Sequence, residues 1–358
     1  MSYTNGLDKP SDYFETVTYT GNSSTQSITS LDFKPDWVWL KNRSNADGHG
    51  LFDSVRGVNK RLISNTNEAE VTASGVTAFN SNGFSLGSAK HNDSGQTFVG
   101  WCWKASGSTA SNTNGTNITS TVDANTTAGF SIVSYTGTNT ATDTVGHGLS
   151  SLDLLIVKTR NETDSWFVKT KDLASSKNLN LDQTVAETNV GSAYSEGGLS
   201  NLSGNTFGFI AGTDGNAYGV NEANNTHIAY CFKEVQGFSK FGKFIGNGSA
   251  TDGTFIFTGF KPAWIMIKCI NAAGELWHIH DVKRTPTNTN SNSDGRIVYA
   301  NDNAAETDSV HYRIQMYSNG FKAMNSNDST NVDGNSYFFM AFAEQPFVTS
   351  TGVPATAR

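Results

Sequence analysis

Short runs of large apolar residues punctuate this chain, separated by polar stretches rich in Gly, Asn, Asp, Ser and Thr. One run, Phe33-Lys34-Pro35-Asp36-Trp37-Val38-Trp39-Leu40-Lys41, returns as Phe260-Lys261-Pro262-Ala263-Trp264-Ile265-Met266-Ile267-Lys268. A worn copy, Leu152-Asp153-Leu154-Leu155-Ile156-Val157-Lys158, lies between them. Alternating large apolar residues ending on a lysine predict a half-buried strand. Lys-Pro opens two of the copies, at a position where proline costs no ladder hydrogen bond. We call these the key strands.

Other landmarks recur in the same order. An alternating strand ending at glycine runs from Phe14 to Gly21 and again from Phe130 to Gly137. Phe244-Ile245-Gly246 is its third copy, with a spacing one residue off. The turn Ser81-Asn82-Gly83-Phe84 recurs as Ser318-Asn319-Gly320-Phe321, an Asn-Gly hairpin signal. Aromatic closing strands align without gaps at 98–104, 227–233 and 337–343. The key lysines Lys41, Lys158 and Lys268 lie 117 and 110 residues apart, the size of a domain rather than a solenoid turn.

The expected fold is therefore all-β: three tandem antiparallel β-sandwich repeats of about 110 residues, jelly-roll or concanavalin-like. The divisions fall at a lead-in 1–13, repeats 14–105, 129–236 and 237–348, and a tail 349–358. Opening and closing strands of each repeat are expected to pair, bringing its ends together as bead-like domains require. Segment 106–128 reads as a flexible linker, with Ile118 and Val122 offering an edge strand as the alternative. Phe238 and Phe241 predict firm packing between the second and third repeats. Only 51–63 and 172–181 are worth testing as helices. The tail is expected to be mobile unless a partner holds it.

Composition sharpens this picture. With 36% hydrophobic, 11% aromatic and 16% charged residues, the chain favours strands and tight turns. A net charge of −7 without a Lys/Arg cluster argues against nucleic acid as a partner. No run approaches the ~20 apolar residues of a membrane span, so no membrane insertion is expected. The first residues carry neither a basic region nor an apolar run, so no secretion signal is read there. Cys102 and Cys231 occupy equivalent positions, matched by Ala341 in the third repeat. They read as small core residues and, with Cys269, form no disulfide framework.

The richest chemical cluster is Trp277-His278-Ile279-His280-Asp281. On a strand His278 and His280 face the same side, so Trp277, His278, His280 and Asp281 are the candidate binding residues. The corresponding landmarks, Leu51-Phe52-Asp53 and Trp166-Phe167-Val168, supply no histidine, so ordinary strand histidines are the preferred reading. No metal site and no cofactor are expected. His147 lies in a glycine turn without a nucleophile elbow. Asp214-Gly215-Asn216 and Asp333-Gly334-Asn335 match hairpin turns better than calcium loops. Asn-x-Ser/Thr triplets, as at Asn22, Asn114, Asn117 and Asn125, are what such a composition yields by chance. No carboxylate pair recurs between repeats, and no catalytic residue is assigned.

The stretches DKPSDYFETVTYTG, FKPDWVWLKNRS, LFDSVRGVNKRL and FVGWCWKASG resemble a family of bacteriophage virion proteins common in marine phages. The following TTAGFSIVSYTGT, VGHGL and LLIVKTR resemble the next module of the same proteins. The likeness is best over residues 1–171, with the third repeat a diverged copy. It implies concanavalin- or laminin-G-like sandwiches in a non-enzymatic virion structural protein, assembled in the host cytoplasm and exposed on the particle exterior. The implied partners are other capsid or tail proteins, with room for a homo-trimer and a host surface glycan. Lacking heptads or β-helix repeats for a shaft, the chain fits capsid decoration or an appendage subunit better than a tail fibre or receptor-binding adhesin. A glycan depolymerase is the enzymatic rival, since fold alone does not separate lectin from hydrolase.

Overall fold

The computed structural model describes residues 7–88, 90–190, 197–285, 288, 295–326 and 329–355. The chain is all-β. No α-helix lies among the described residues, where 3₁₀ turns run over Pro10–Asp12 and Val310–Tyr312. Neither tested stretch is helical. Residues 51–63 hold parts of strands Gly50–Asp53 and Lys60–Arg61, joined through Gly57 and Asn59 at φ +91° and +61°. Such left-handed residues interrupt a helix. Residues 172–181 contain strand Lys177–Asn180.

Three larger sheets keep one strand order: opening, closing, key and flank. In the first these are Phe14–Thr20, Thr97–Trp103, Trp37–Asn42 and Gly50–Asp53. In the second they are Phe130–Thr136, Thr226–Phe232, Leu154–Thr159 and Phe167–Thr170. In the third they are Ser239–Ile245, Ser336–Pro346, Phe260–Cys269 and Trp277–Asp281. Opening and closing strands pair antiparallel throughout, as in Phe14 with Trp103, Phe130 with Phe232 and Ser239 with Phe342. This register absorbs the one-residue offset of the third copy. Ser239 takes the place of Phe14 and Phe130, while Phe238 still reaches the core.

A smaller sheet covers one face of each larger sheet, and separate apolar clusters fill the three gaps. The opposite faces share a fourth cluster, containing Phe14, Trp37, Trp103, Phe130, Tyr230, Phe232, Trp264 and Phe342. Trp37 stacks on Tyr230 with ring centroids 4.2 Å apart, and Phe14 on Phe342 at 4.9 Å. The key strands are thus buried on both faces, with all six residues of Trp37–Asn42 and Leu154–Thr159 covered. A half-buried strand in a bead-like domain is the wrong description: one side chain set fills its own sandwich, the other the common core.

The closure is cyclic. The Glu70 N–H donates to Arg160 O, the Glu187 N–H to Ile270 O, and the Glu306 N–H to Arg43 O, linking first to second, second to third and third to first. A second ring of bonds follows the same path. Trp166 Nε1 donates to Ile63 O and Trp277 Nε1 to Asn180 O, while His49 Nε2 lies 2.8 Å from Tyr299 O.

Segment 106–128 is built into the second sandwich. Ser120–Asn125 pairs with opening strand Phe130–Thr136, Ala110–Asn112 extends that sheet, and Asn117–Ile118 joins the small sheet in parallel. Val122 and Ile118 are buried in the sandwich core, which holds the segment in place. The lead-in also contributes: Leu7 is buried in the common core. The tail turns back, with the Ser350 N–H donating to Asp8.

Candidate functional site

The cross-strand registers realign the histidine cluster. Trp37 faces Asp53, Leu154 faces Thr170 and Trp264 faces Asp281, which makes His49, Trp166 and Trp277 equivalent. Trp277 is a bridge to the second sandwich through Asn180 O. Asp281 is fully buried against Arg284 at 2.5 Å and also accepts from Trp101 Nε1 at 3.0 Å. Asp53 repeats this arrangement, with Arg56 at 2.5 Å and Tyr230 Oη at 2.8 Å. Glu70 then joins Arg56 to Arg160, and Glu306 joins Arg284 to Arg43. At the third junction Thr170 and Leu173 replace Asp and Arg, and Met340 stands where Trp101 and Tyr230 stood. A facing donor accompanies the buried carboxylate in both junctions that have one. The Asp-x-x-Arg spacing was a recurring signal in the sequence, and it closes the fold.

His278 and His280 do lie on one face, with ring centroids 6.3 Å apart. His278 is enclosed edge-on by Tyr299 and Tyr312, at 5.0 and 5.3 Å. Burial pushes the His278 pKa well below its ordinary value and lowers His280 to about 3. The void beside His280, lined by Asp281, Thr285, Asn288, Ile314 and Met316, measures about 10 Å³, room for one water. No group of three His, Cys, Asp or Glu side chains converges among the described residues. The four candidates thus divide between the two faces of their strand: His278 and His280 pack within the third sandwich, while Trp277 and Asp281 face the junctions of the common core.

The remaining motifs take local roles. His147 staples its own turn, accepting from the Leu149 N–H at Nδ1 and lying 3.1 Å from Gly204 O at Nε2. Asp214 accepts from the Asn216 N–H across Gly215 at φ +84°, a tight turn. Gly334 adopts φ +79° in the other triplet. Cys102, Cys231 and Cys269 are buried free thiols. Cys102 faces Val38, Cys231 faces Leu155 and Ala341 faces Ile265, so the expected equivalence holds. The repeated lysines are buried too. Lys41 Nζ donates to Asn42, Asp47 and Asn303 carbonyls, Lys158 to Thr159 and Glu162, and Lys268 to Thr184 and Glu275. Desolvation pulls all three down to about 8. Their charge is held by loop carbonyls.

One accessible feature escaped the sequence reading. A cleft of about 350 Å³ follows the outer side of opening strand Ser239–Ile245, lined by Lys171, Lys240, Gly242, Lys243, Phe255 and Phe257. Phe255 is 44% exposed, Phe257 59% and the neighbouring Ile245 62%, half of the exposed large hydrophobics among the described residues. Strand Phe255–Phe257 is the outer strand of its small sheet. Exposed aromatics gathered at an uncovered edge mark a contact surface. Alternation across strand 255–257 was the available signal, since Phe255 and Phe257 share the face opposite buried Ile256.

Three sandwiches closed in a ring on a common aromatic core define an all-β, antiparallel sandwich assembly. The chain belongs to the family described as a domain of unknown function, DUF7483, which it matches over residues 9–346. No curated protein and no solved structure matches it.

Proposed function

We propose that this chain is a non-enzymatic structural protein of a bacteriophage virion, exposed on the particle surface as a capsid-decorating or appendage subunit. The observation that carries this reading is the cyclic closure through Glu70, Glu187 and Glu306 around one aromatic core. It makes a single chain behave as a preassembled three-part block, suited to a repetitive exterior lattice. The resemblance of residues 1–171 to virion proteins supplies the setting. The buried polar groups serve the block: carboxylates meet guanidinium groups, and lysines meet carbonyls. Even the close acidic pair is structural, since Asp36 and Asp123 are both 1% exposed and accept from the backbone at 105–107. A receptor-binding adhesin is the second reading, favoured by exposed Phe255 and Phe257, whose ring faces suit the apolar faces of sugars.

The test is immunogold microscopy of gradient-purified particles with antibodies raised against the purified chain. Labelling over the capsid or a lateral appendage supports the proposal. Labelling confined to fibre tips moves the protein to the adhesin reading. Absence from particles in which other virion proteins are detected overturns both.

A further inference from the structure

Three junctions between neighbouring sandwiches are equivalent, and the chain itself fills one. At the second sandwich, Ser120–Asn125 lies antiparallel to the opening strand, with Val122 opposite Val133 and Asp123 opposite Ile132. Its Asp123 reaches Ser54, in the turn after the flank strand of the first sandwich, at 3.5 Å. At the third sandwich the corresponding place is the cleft between Ser239–Ile245 and Lys171–Asp172, where no described strand lies. Gly242 there occupies the position of Val133, as the registers with Phe342 and Phe232 require. The small-sheet edge is equally open. Asn117–Ile118 closes it in the second sandwich, whereas Phe255–Phe257 has no outer neighbour among the described residues.

We propose that this cleft binds an extended polypeptide segment of a partner protein, added as an antiparallel strand to Ser239–Ile245. The main-chain donors and acceptors of an edge strand supply the affinity, and alternate side chains supply the selectivity. The template fixes the register. A partner residue opposite Gly242 points into the sandwich mouth, where Val122 points in the second sandwich. Gly242 lacks the Val133 side chain, but Phe339, standing where the second sandwich has Ala229, lays its ring 3.1 Å from where a Cβ would be, and Phe255 and Phe257 line the rest of the mouth. The position therefore takes an apolar residue packed against these rings, flanked two residues away by small or apolar ones. Residues between them face Lys171, which already bridges Asp153 at 3.1 Å and Glu234 at 2.8 Å, so polar uncharged side chains fit there. The first sandwich has a similar cleft of about 340 Å³, but the Glu15–Lys283 ion pair at 3.6 Å crosses it. The third is the receptive one. This inference does not depend on where the protein resides.

The probe is a fluorescent peptide with the sequence of residues 117–126 carrying Val122→Leu and Asp123→Asn, titrated into the full chain. Saturable binding is expected, with slowed amide exchange across 239–245. Phe257→Ser in the protein, an exposed position that leaves the fold intact, should weaken binding roughly tenfold, as should Val122→Asp in the peptide. Three outcomes overturn the proposal: no binding at millimolar peptide, equal binding of the peptide with its apolar residues shifted by one, or binding without protection of 239–245. Neutral oligosaccharide binding abolished by Phe257→Ser, with no peptide binding, overturns it in favour of a glycan surface.

Discussion

Asp53→Ala probes the junction between first and second sandwiches. The carboxylate and its Arg56 partner are both wholly buried, and Tyr230 from the second sandwich donates to the same oxygen at 2.8 Å. Removing one partner of a buried ion pair typically costs about 3–5 kcal/mol, because the other charge is left unpaired. Here Arg56 keeps Glu70 at 3.0 Å and the carbonyls of Leu51 and Lys60, which places the expected loss near the lower end, about 3 kcal/mol. Tyr230→Phe deletes the hydrogen bond to the carboxylate and the longer one accepted from Arg56 Nη2 at 3.3 Å, a loss of about 1.5–3 kcal/mol. Because both changes remove the Asp53–Tyr230 bond within one network, the double variant should fall short of the sum by about 1 kcal/mol or more. Urea unfolding followed by tryptophan fluorescence measures all three variants, and an unchanged slope makes the midpoints comparable. Strict additivity would refute the argument, since it would mean that Asp53 and Tyr230 do not share an interaction across the junction.

Two further outcomes follow from the core and from burial. Trp37→Ala should cost about 3–5 kcal/mol, read as a lowered midpoint in the same assay, and wild-type unfolding would remove Trp37 from the core. Burial lowers His91 and His147 to about 4 and His227 and His280 to about 3, all below the unfolded value of about 6.5. The unfolded chain thus binds more protons, so their contribution is fully present above pH 6.5 and is lost as pH falls towards 3. At pH 5 each histidine should cost about 2 kcal/mol, and melting temperatures constant from pH 7 to 5 would contradict this.

Much of the fold was legible. The repeated key strands, the pairing of Phe14 with Trp103 and of Phe130 with Phe232, and the core role of Cys102 and Cys231 all rest on local pattern. The common core was legible only in part. Trp37-Val38-Trp39-Leu40 alternates in size yet is apolar throughout, and a continuous apolar run denotes burial on both faces. Segment 106–128 has linker composition, but Val122 needs only one buried face to hold a strand. The cleft at Gly242 was not legible, because it depends on which edge a distant segment covers. The surroundings of the histidine cluster were not legible either, since the rings around His278 come from Tyr299 and Tyr312, distant in the sequence.

The central claim is that three sandwiches form one cooperative body rather than three beads. Differential scanning calorimetry of the full chain tests it most directly. One transition is expected, with calorimetric and van't Hoff enthalpies that agree and a midpoint shifted as a whole by Asp53→Ala. Two or three resolved transitions, with only one displaced by Asp53→Ala, would contradict it.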